Sequence, residues 1–211
     1  PDLLMRAARL SERYQIPLVM HVSETAGEAA QITEKYGKSP VAHLAELGIL
    51  SPLLVACHCV VLSDEDIRLL KDGDVKVSHN PESNMKLASG VAPVPELIDA
   101  GICVGLGTDG CTSNNNLDLF AEMDTAAKIH KVTRMDPTVM DAKTVVRMAT
   151  IEGARALGMD AITGSLEKGK KADLIVIDTR KPHLTPVYNI YSLLVYAVGG
   201  GDVAASVISG E

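Results

Sequence analysis

Four short apolar runs, separated by amphipathic stretches of helix length, most constrain what this chain can fold into. The runs are "LVMHV" (18–22), "LLVACHCV" (53–60), "VKVSHN" (75–80) and "ICVGLGTD" (102–109). A helical pattern at 3–14 precedes the first, and others at about 25–36, 40–47, 63–72 and 94–101 separate the runs. Longer helical patterns follow at about 117–131 and 142–157. Ser63 supplies an N-cap to "DEDIRLLKD", whose acids fill the first turn. Strands joined by helical crossovers form a parallel sheet flanked by helices. The rest of the chain differs: "GSLEKGKKADLIVID" reads as a turn and a strand, and "DVAASVISG" as another strand. Residues 1–160 are therefore expected to form the α/β part and 161–211 a small β-structure.

The polar residues of this pattern gather at the strand ends. The first strand ends in His21, with Glu24 three residues on; the second ends around His58, the third at His79 and the fourth at Asp109. A carboxylate where a buried strand gives way to a loop is costly unless something pairs with it. A parallel α/β barrel draws its catalytic residues from this carboxyl-end face. Each residue alone has a plain reading, as a satisfied core histidine or a turn-capping aspartate. Four strands all ending in His or Asp are hard to assign to packing.

Neutral imidazole and carboxylate suit zinc or a similar divalent ion. Such an ion lowers the pKa of its water from about 15.7 to near 7. Period-2 alternation is expected to point His58 into the barrel and to turn Cys57 and Cys59 toward the covering helices, which argues against a Cys-His-Cys cluster. His79 either lines the site or fixes the backbone before Pro81. His43 is expected on the outer side of its helix, His130 charged at a helix C-terminus, and His183 in a Pro-rich loop, all three structural. "SNNN" (113–116) reads as a polar loop with no ligand role.

The blocks "HVSET", "HCVVLSDED", "SHNPESNMKLASGVAPVPELIDAG", "GLGTDGCTSNNNLDLFAEM", "MATIEGARALG" and "GSLEKGKKADLIVID" resemble the amidohydrolase superfamily. Within it they most resemble the 5-methylthioadenosine/S-adenosylhomocysteine deaminases. The resemblance implies the C-terminal half of a metal-dependent (β/α)8 barrel, strands five to eight, with part of a small β-sandwich domain. It implies one divalent metal ion, zinc or alternatively iron, held by His21 and Asp109. Asp109 also takes a proton from the metal-bound water as general base. Glu24 hydrogen-bonds the purine ring and delivers a proton to its nitrogen, and His58 steadies the attacking hydroxide. The implied reaction is hydrolytic deamination of 5-methylthioadenosine, S-adenosylhomocysteine or adenosine to the hypoxanthine nucleoside plus ammonia.

The sequence departs from the family: none of its six histidines is separated from another by a single residue, so the family's His-x-His metal motif is absent, as are its substrate-contacting arginines and fourth-strand histidine. A complete barrel takes about 250 residues. The expectation is a segment of a longer enzyme, weak in metal binding by itself. Its open sheet edges invite homo-oligomer formation or other association. Two alternatives stand beside this reading: another amidohydrolase, such as a guanine or other heterocycle deaminase or a triazine hydrolase, and a non-catalytic module that assembles through its sheet edges. A net charge of −7 argues against nucleic acid or an anionic membrane as partner. No run approaches ~18 apolar residues and no secretory signal is visible. The four cysteines lack the spacing of a disulfide scaffold, so a cytoplasmic chain is expected.

Overall fold

A computed structural model describes residues 1–211. Local sequence accounts for the order of elements. Helix α1 (Asp2–Tyr14) ends at Gln15 in the left-handed conformation and leads into strand β1 (Leu18–Val22). Thr25 caps α2 (Ala26–Tyr36), and Ser39 caps α3 (Pro40–Glu46), which opens on a proline. Strand β2 (Leu54–His58) is buried throughout. Ser63 and Asp66 form a capping box at α4 (Asp64–Asp72). Strand β3 (Lys76–His79) is followed at once by the short helix α5 (Pro81–Lys86), then α6 (Val94–Asp99) and β4 (Val104–Leu106).

After β4 come α7 (Cys111–Asn114), the long α8 (Leu119–Arg134) capped by Asp118, α9 (Ala142–Met148) capped by Asp141, and α10 (Ile151–Ala156). The expected single helix over 142–157 is broken in two at Thr150, whose ψ of −99° lies outside the helical region. The break lets Gly153 pack on β4: a Cβ at Gly105 would stand 3.0 Å from the Gly153 Cα. Strands β5 (Leu174–Ile177) and β6 (Val203–Val207) pair antiparallel. Between them α11 (Ile190–Tyr196) returns to pack on α8 and α9. Short α5, α7 and α11 have no counterpart in the sequence reading.

The main sheet is four-stranded and parallel in the order β1-β2-β3-β4, as the strand–helix alternation predicts. One of its faces forms the core: Val22, Leu54, Ala56, Val77 and Val104 meet Leu70, Leu97, Ala126, Val145 and Met148 from the helices. Each such Val, Leu or Met side chain contributes about 1.5–3 kcal/mol by leaving water, and each alanine less. The other face carries the cross-strand row His21, Cys57, Ser78 and Gly105. Val19, on that face of edge strand β1, is 55% exposed. No helix is long and apolar enough to cross a membrane.

Candidate active site

The side chains of His21, Glu24, His58 and Asp109 converge at the carboxyl ends of the strands, and the space they face is termed the site. The Nε2 of His21 lies 3.7 Å from the Oδ1 of Asp109, and its Nδ1 lies 4.0 Å from the Oε2 of Glu24. That same Glu24 oxygen lies 4.0 Å from the His58 Nε2. The two imidazoles meet edge to face, 4.6 Å between centroids at 85°.

Strand alternation does not explain how His58 gets there. His58 stands opposite Val22, a core residue, while Cys57 stands opposite His21. By alternation Cys57, not His58, belongs to the site face, and the expectation that Cys57 faces the helices is overturned. His58 is redirected because β2 ends in two consecutive left-handed residues, His58 (φ 72°) and Cys59 (φ 50°). Cys59 does pack in the helix-side core. Burial, with the Asp109 charge nearby, pushes the Cys57 thiol up to about 11, which keeps it neutral and a poor metal ligand.

Three of the four side chains, those of Asp109, His58 and Glu24, are held by a neighbour. Asp109 is itself left-handed (φ 59°), a conformation that Asp tolerates better than most residues. Its Oδ2 accepts from the Ser83 hydroxyl at 2.7 Å and the Ser113 hydroxyl at 2.5 Å, leaving Oδ1 toward His21. Burial works against the Asp109 charge. The Ser113 and Ser83 hydroxyls, the Gly110 N–H and the His58 ring outweigh it and hold the carboxyl below its ordinary range. The Asn84 Oδ1 lies 2.8 Å from the His58 Nδ1. An amide oxygen can only accept, so Nδ1 carries the hydrogen of this bond, and the buried Nε2 has no partner. Ser89 donates to the Glu24 Oε1 at 3.1 Å. The Glu28 carboxylate accepts from the Ser23 and Glu24 N–H groups, setting the loop that presents Glu24.

Sequence reasoning missed these supporting residues. "SNNN" is not an idle loop, since Ser113 holds Asp109 and Asn114 is buried. The available signal was the density of Ser and Asn directly after two strand-end site residues.

The remaining histidines lie elsewhere. His79 is buried with its Nε2 3.1 Å from the Nε2 of His130, so it ties β3 to α8 and does not line the site. The expected charged His130 at a helix end is corrected by the same contact. The helix continues to Arg134, His130 is fully buried, and burial pushes its imidazole down to about 4. His43 is not on an open outer face: its ring stacks on Tyr36 at 4.0 Å and its side chain is 12% exposed. His183 pairs with Asp202 at 3.1 Å.

The donor set suits a divalent ion. Nitrogen and oxygen ligands about 2.1 Å from a tetrahedral ion stand roughly 3.4 Å apart, close to the 3.7 Å between His21 Nε2 and Asp109 Oδ1. Donor atoms of His21, His58 and Asp109 all lie within 4.8 Å of one another, and the unpartnered His58 Nε2 is a buried polar atom that an occupant would satisfy.

The amidohydrolase family model matches residues 1–211, the whole of the chain. The chain belongs to the amidohydrolase family. It is 58% identical over 211 residues to a protein of Syntrophobacter fumaroxidans named 5-methylthioadenosine/S-adenosylhomocysteine deaminase, covering 48% of that protein. It is 52% identical over 194 residues to a 5'-deoxyadenosine deaminase of Methanosarcina mazei, covering 92% of this chain and 44% of that one. In structure it matches an adenosine deaminase from Xanthomonas campestris solved with bound zinc, at a TM-score of 0.96 and 41% identity, covering 99% of this chain and 47% of that one. This amidohydrolase chain thus spans about half the length of the curated relatives it matches.

Proposed function

We propose that these 211 residues carry half of the active site of a metal-dependent deaminase that converts an adenine nucleoside to its hypoxanthine counterpart and ammonia. The observation that carries this reading is the convergence of His21, Asp109, Glu24 and His58 from three strand ends to contacts of about 4 Å with one another. The relatives named above act, by their names, on 5-methylthioadenosine, S-adenosylhomocysteine and 5'-deoxyadenosine. Their common part, and the substrate class proposed here, is a 5'-modified adenine nucleoside.

His21 Nε2 and Asp109 Oδ1 would hold a divalent ion, zinc, together with donors from outside these residues. When bound, such an ion supplies a nucleophile at neutral pH by lowering the pKa of water toward 7. Asp109, kept ionised by the two hydroxyls on Oδ2, would take a proton from the attacking water through the lone pair of Oδ1 that the ion leaves open. The bare His58 Nε2 accepts a hydrogen bond from that water and aims its lone pair at the ring carbon C6. Glu24, with one oxygen fixed by Ser89, delivers a proton to the adjacent ring nitrogen. Water adds at C6; Asp109 passes the proton it took to the amino group, which leaves as ammonia, and the new C6 hydroxyl returns a proton to Glu24, so the ring is left as hypoxanthine. General acid–base steps of this kind contribute about 10²–10⁴-fold.

Four free cysteines fit a reducing compartment, and the two sheet edges at β1 and β4 fit pairing with further barrel strands or a second copy. The test is ammonia release from 5-methylthioadenosine, S-adenosylhomocysteine, 5'-deoxyadenosine, adenosine and guanine in parallel, with the upstream barrel half of a relative joined to these residues. Turnover of the adenine nucleosides and none of guanine is expected. Preference for guanine would overturn the substrate assignment.

A further inference from the structure

Glu122 is a fully buried acid that the proposed chemistry does not use. It lies in α8, and burial pushes its carboxyl up to about 7. A carboxylate in such a place is costly unless its oxygens are met by donors. Both are met. Oε2 accepts from the Glu82 backbone N–H at 3.2 Å, and Oε1 accepts from the Asn114 amide.

The two donors belong to the two segments that hold the site. Glu82 lies in the first turn of α5, whose N-cap residue Asn80 makes no side-chain cap bond, so the orphan N–H there is satisfied from α8 instead. The next two residues of α5 are Ser83, which holds Asp109, and Asn84, which holds His58. On the other arm, the Asn114 Nδ2 donates to Glu122 and also, at 2.8 Å, to the carbonyl of Thr108, the residue before Asp109. A glutamine at position 122 could not repeat this, because its NH2 would face one of two donors.

We propose that Glu122 is the positioning residue of this site, one sealed carboxylate that fixes at once the helix bearing Ser83 and Asn84 and the loop bearing Asp109. The inference rests on the metal-site reading above, and it fails separately from that reading in the following experiment. The 211-residue chain is compared at pH 8 with Glu122→Gln, Asn114→Ala, Asp109→Asn and Leu184→Ala. Leu184 is buried in a separate small cluster and serves as a control for plain destabilisation. Three quantities are read: the melting curve by circular dichroism, zinc affinity by competition with a chromogenic chelator, and the ¹⁵N tautomer signature of His58 in the metal-free chain.

Glu122→Gln and Asn114→Ala are expected to melt cooperatively, to bind zinc about tenfold more weakly, and to turn the single Nδ1–H signature of His58 into a mixture. Leu184→Ala is expected to lower the melting point and leave zinc affinity and the signature unmoved. Unchanged affinity and signature in Glu122→Gln, with zinc lost in Asp109→Asn, would overturn the positioning role and leave the metal reading standing. Equal zinc binding by wild type and Asp109→Asn would overturn the metal reading, and the His58 signature would still decide the role of Glu122. Should Glu122→Gln fail to fold, Asn114→Ala, which keeps the carboxylate and breaks one arm, decides in its place.

Discussion

His21 Nε2 and Asp109 Oδ1 stand 3.7 Å apart, although they come from opposite edges of the sheet. His21 ends β1 and Asp109 follows β4, the two outer strands. Three strand spacings of about 4.8 Å put such edges roughly 14 Å apart in a flat sheet. The contact requires the sheet to curl so that its edges face each other, as strands half a barrel apart do. The approach of His21 to Asp109, on which the proposed metal site depends, thus follows from the curvature of the sheet.

Substitution at the acid and base separates their roles. With the barrel completed by the upstream half of a relative, Asp109→Asn should nearly abolish turnover, since an amide is a poor ligand and cannot take the proton. Glu24→Gln should lower kcat by about 10²–10⁴-fold and change KM less. Steady-state kinetics on a 5'-modified adenosine checks both, and near-normal kcat in the pair would remove them from the chemistry.

The 211 residues without such completion should not turn over. In the proposed reading they supply two ligands, His21 and Asp109, and they contain no His-x-His pair. The adenine-to-hypoxanthine absorbance change should be absent with the chain and zinc alone, and should appear when the upstream half is supplied. Full activity of the chain alone would show that the site is already complete.

Acid should weaken the fold through the His79–His130 pair. Burial depresses both imidazoles, His130 to about 4 from an ordinary 6.5. A group whose folded pKa lies below its unfolded value contributes stability that is full above the unfolded pKa and is lost as pH falls through the folded one. For His130 that window runs from about 6.5 down to about 4, and a shift of this size corresponds to roughly 3 kcal/mol. His79→Leu/His130→Leu removes both partners together, which can be nearly neutral at pH 7. Its melting temperature should fall less than that of wild type between pH 7 and pH 4. Parallel curves for the two proteins would assign the acid limb to other groups.

Gly107 sets how closely the Asp109 loop approaches β3. A Cβ there would come within 2.5 Å of the Asn80 Oδ1 and 2.6 Å of the Ser78 Oγ. Gly107→Ala should cost about 1–3 kcal/mol in urea unfolding, the usual range for overpacking. A loss below the error of the measurement would mean that the loop moves freely at this point.

The parts of this molecule legible in the sequence are those governed by local rules. Apolar runs such as Leu54–Cys57 and the Ser63 cap mark their elements directly. His21 and Asp109 stood out because polar residues at the ends of apolar strands have few structural uses. His58 does approach Glu24 and His21, but not by strand alternation, since its orientation depends on a left-handed backbone that no periodicity records. The His79–His130 contact joins residues 51 positions apart and is purely tertiary. Ser83, Asn84 and Asn114 looked like loop residues because short helices such as α5 and α7 carry no amphipathic pattern.

Whether His21 and Asp109 hold the same ion is settled most directly by anomalous diffraction at the zinc edge from crystals of this chain, joined to a completing barrel half and grown with zinc. The expected result is one strong peak within about 2.0–2.2 Å of both His21 Nε2 and an Asp109 carboxylate oxygen, lost in Asp109→Asn. A zinc peak elsewhere, with these two side chains still facing each other and no ion between them, would sink the metal site and the deaminase chemistry built on it.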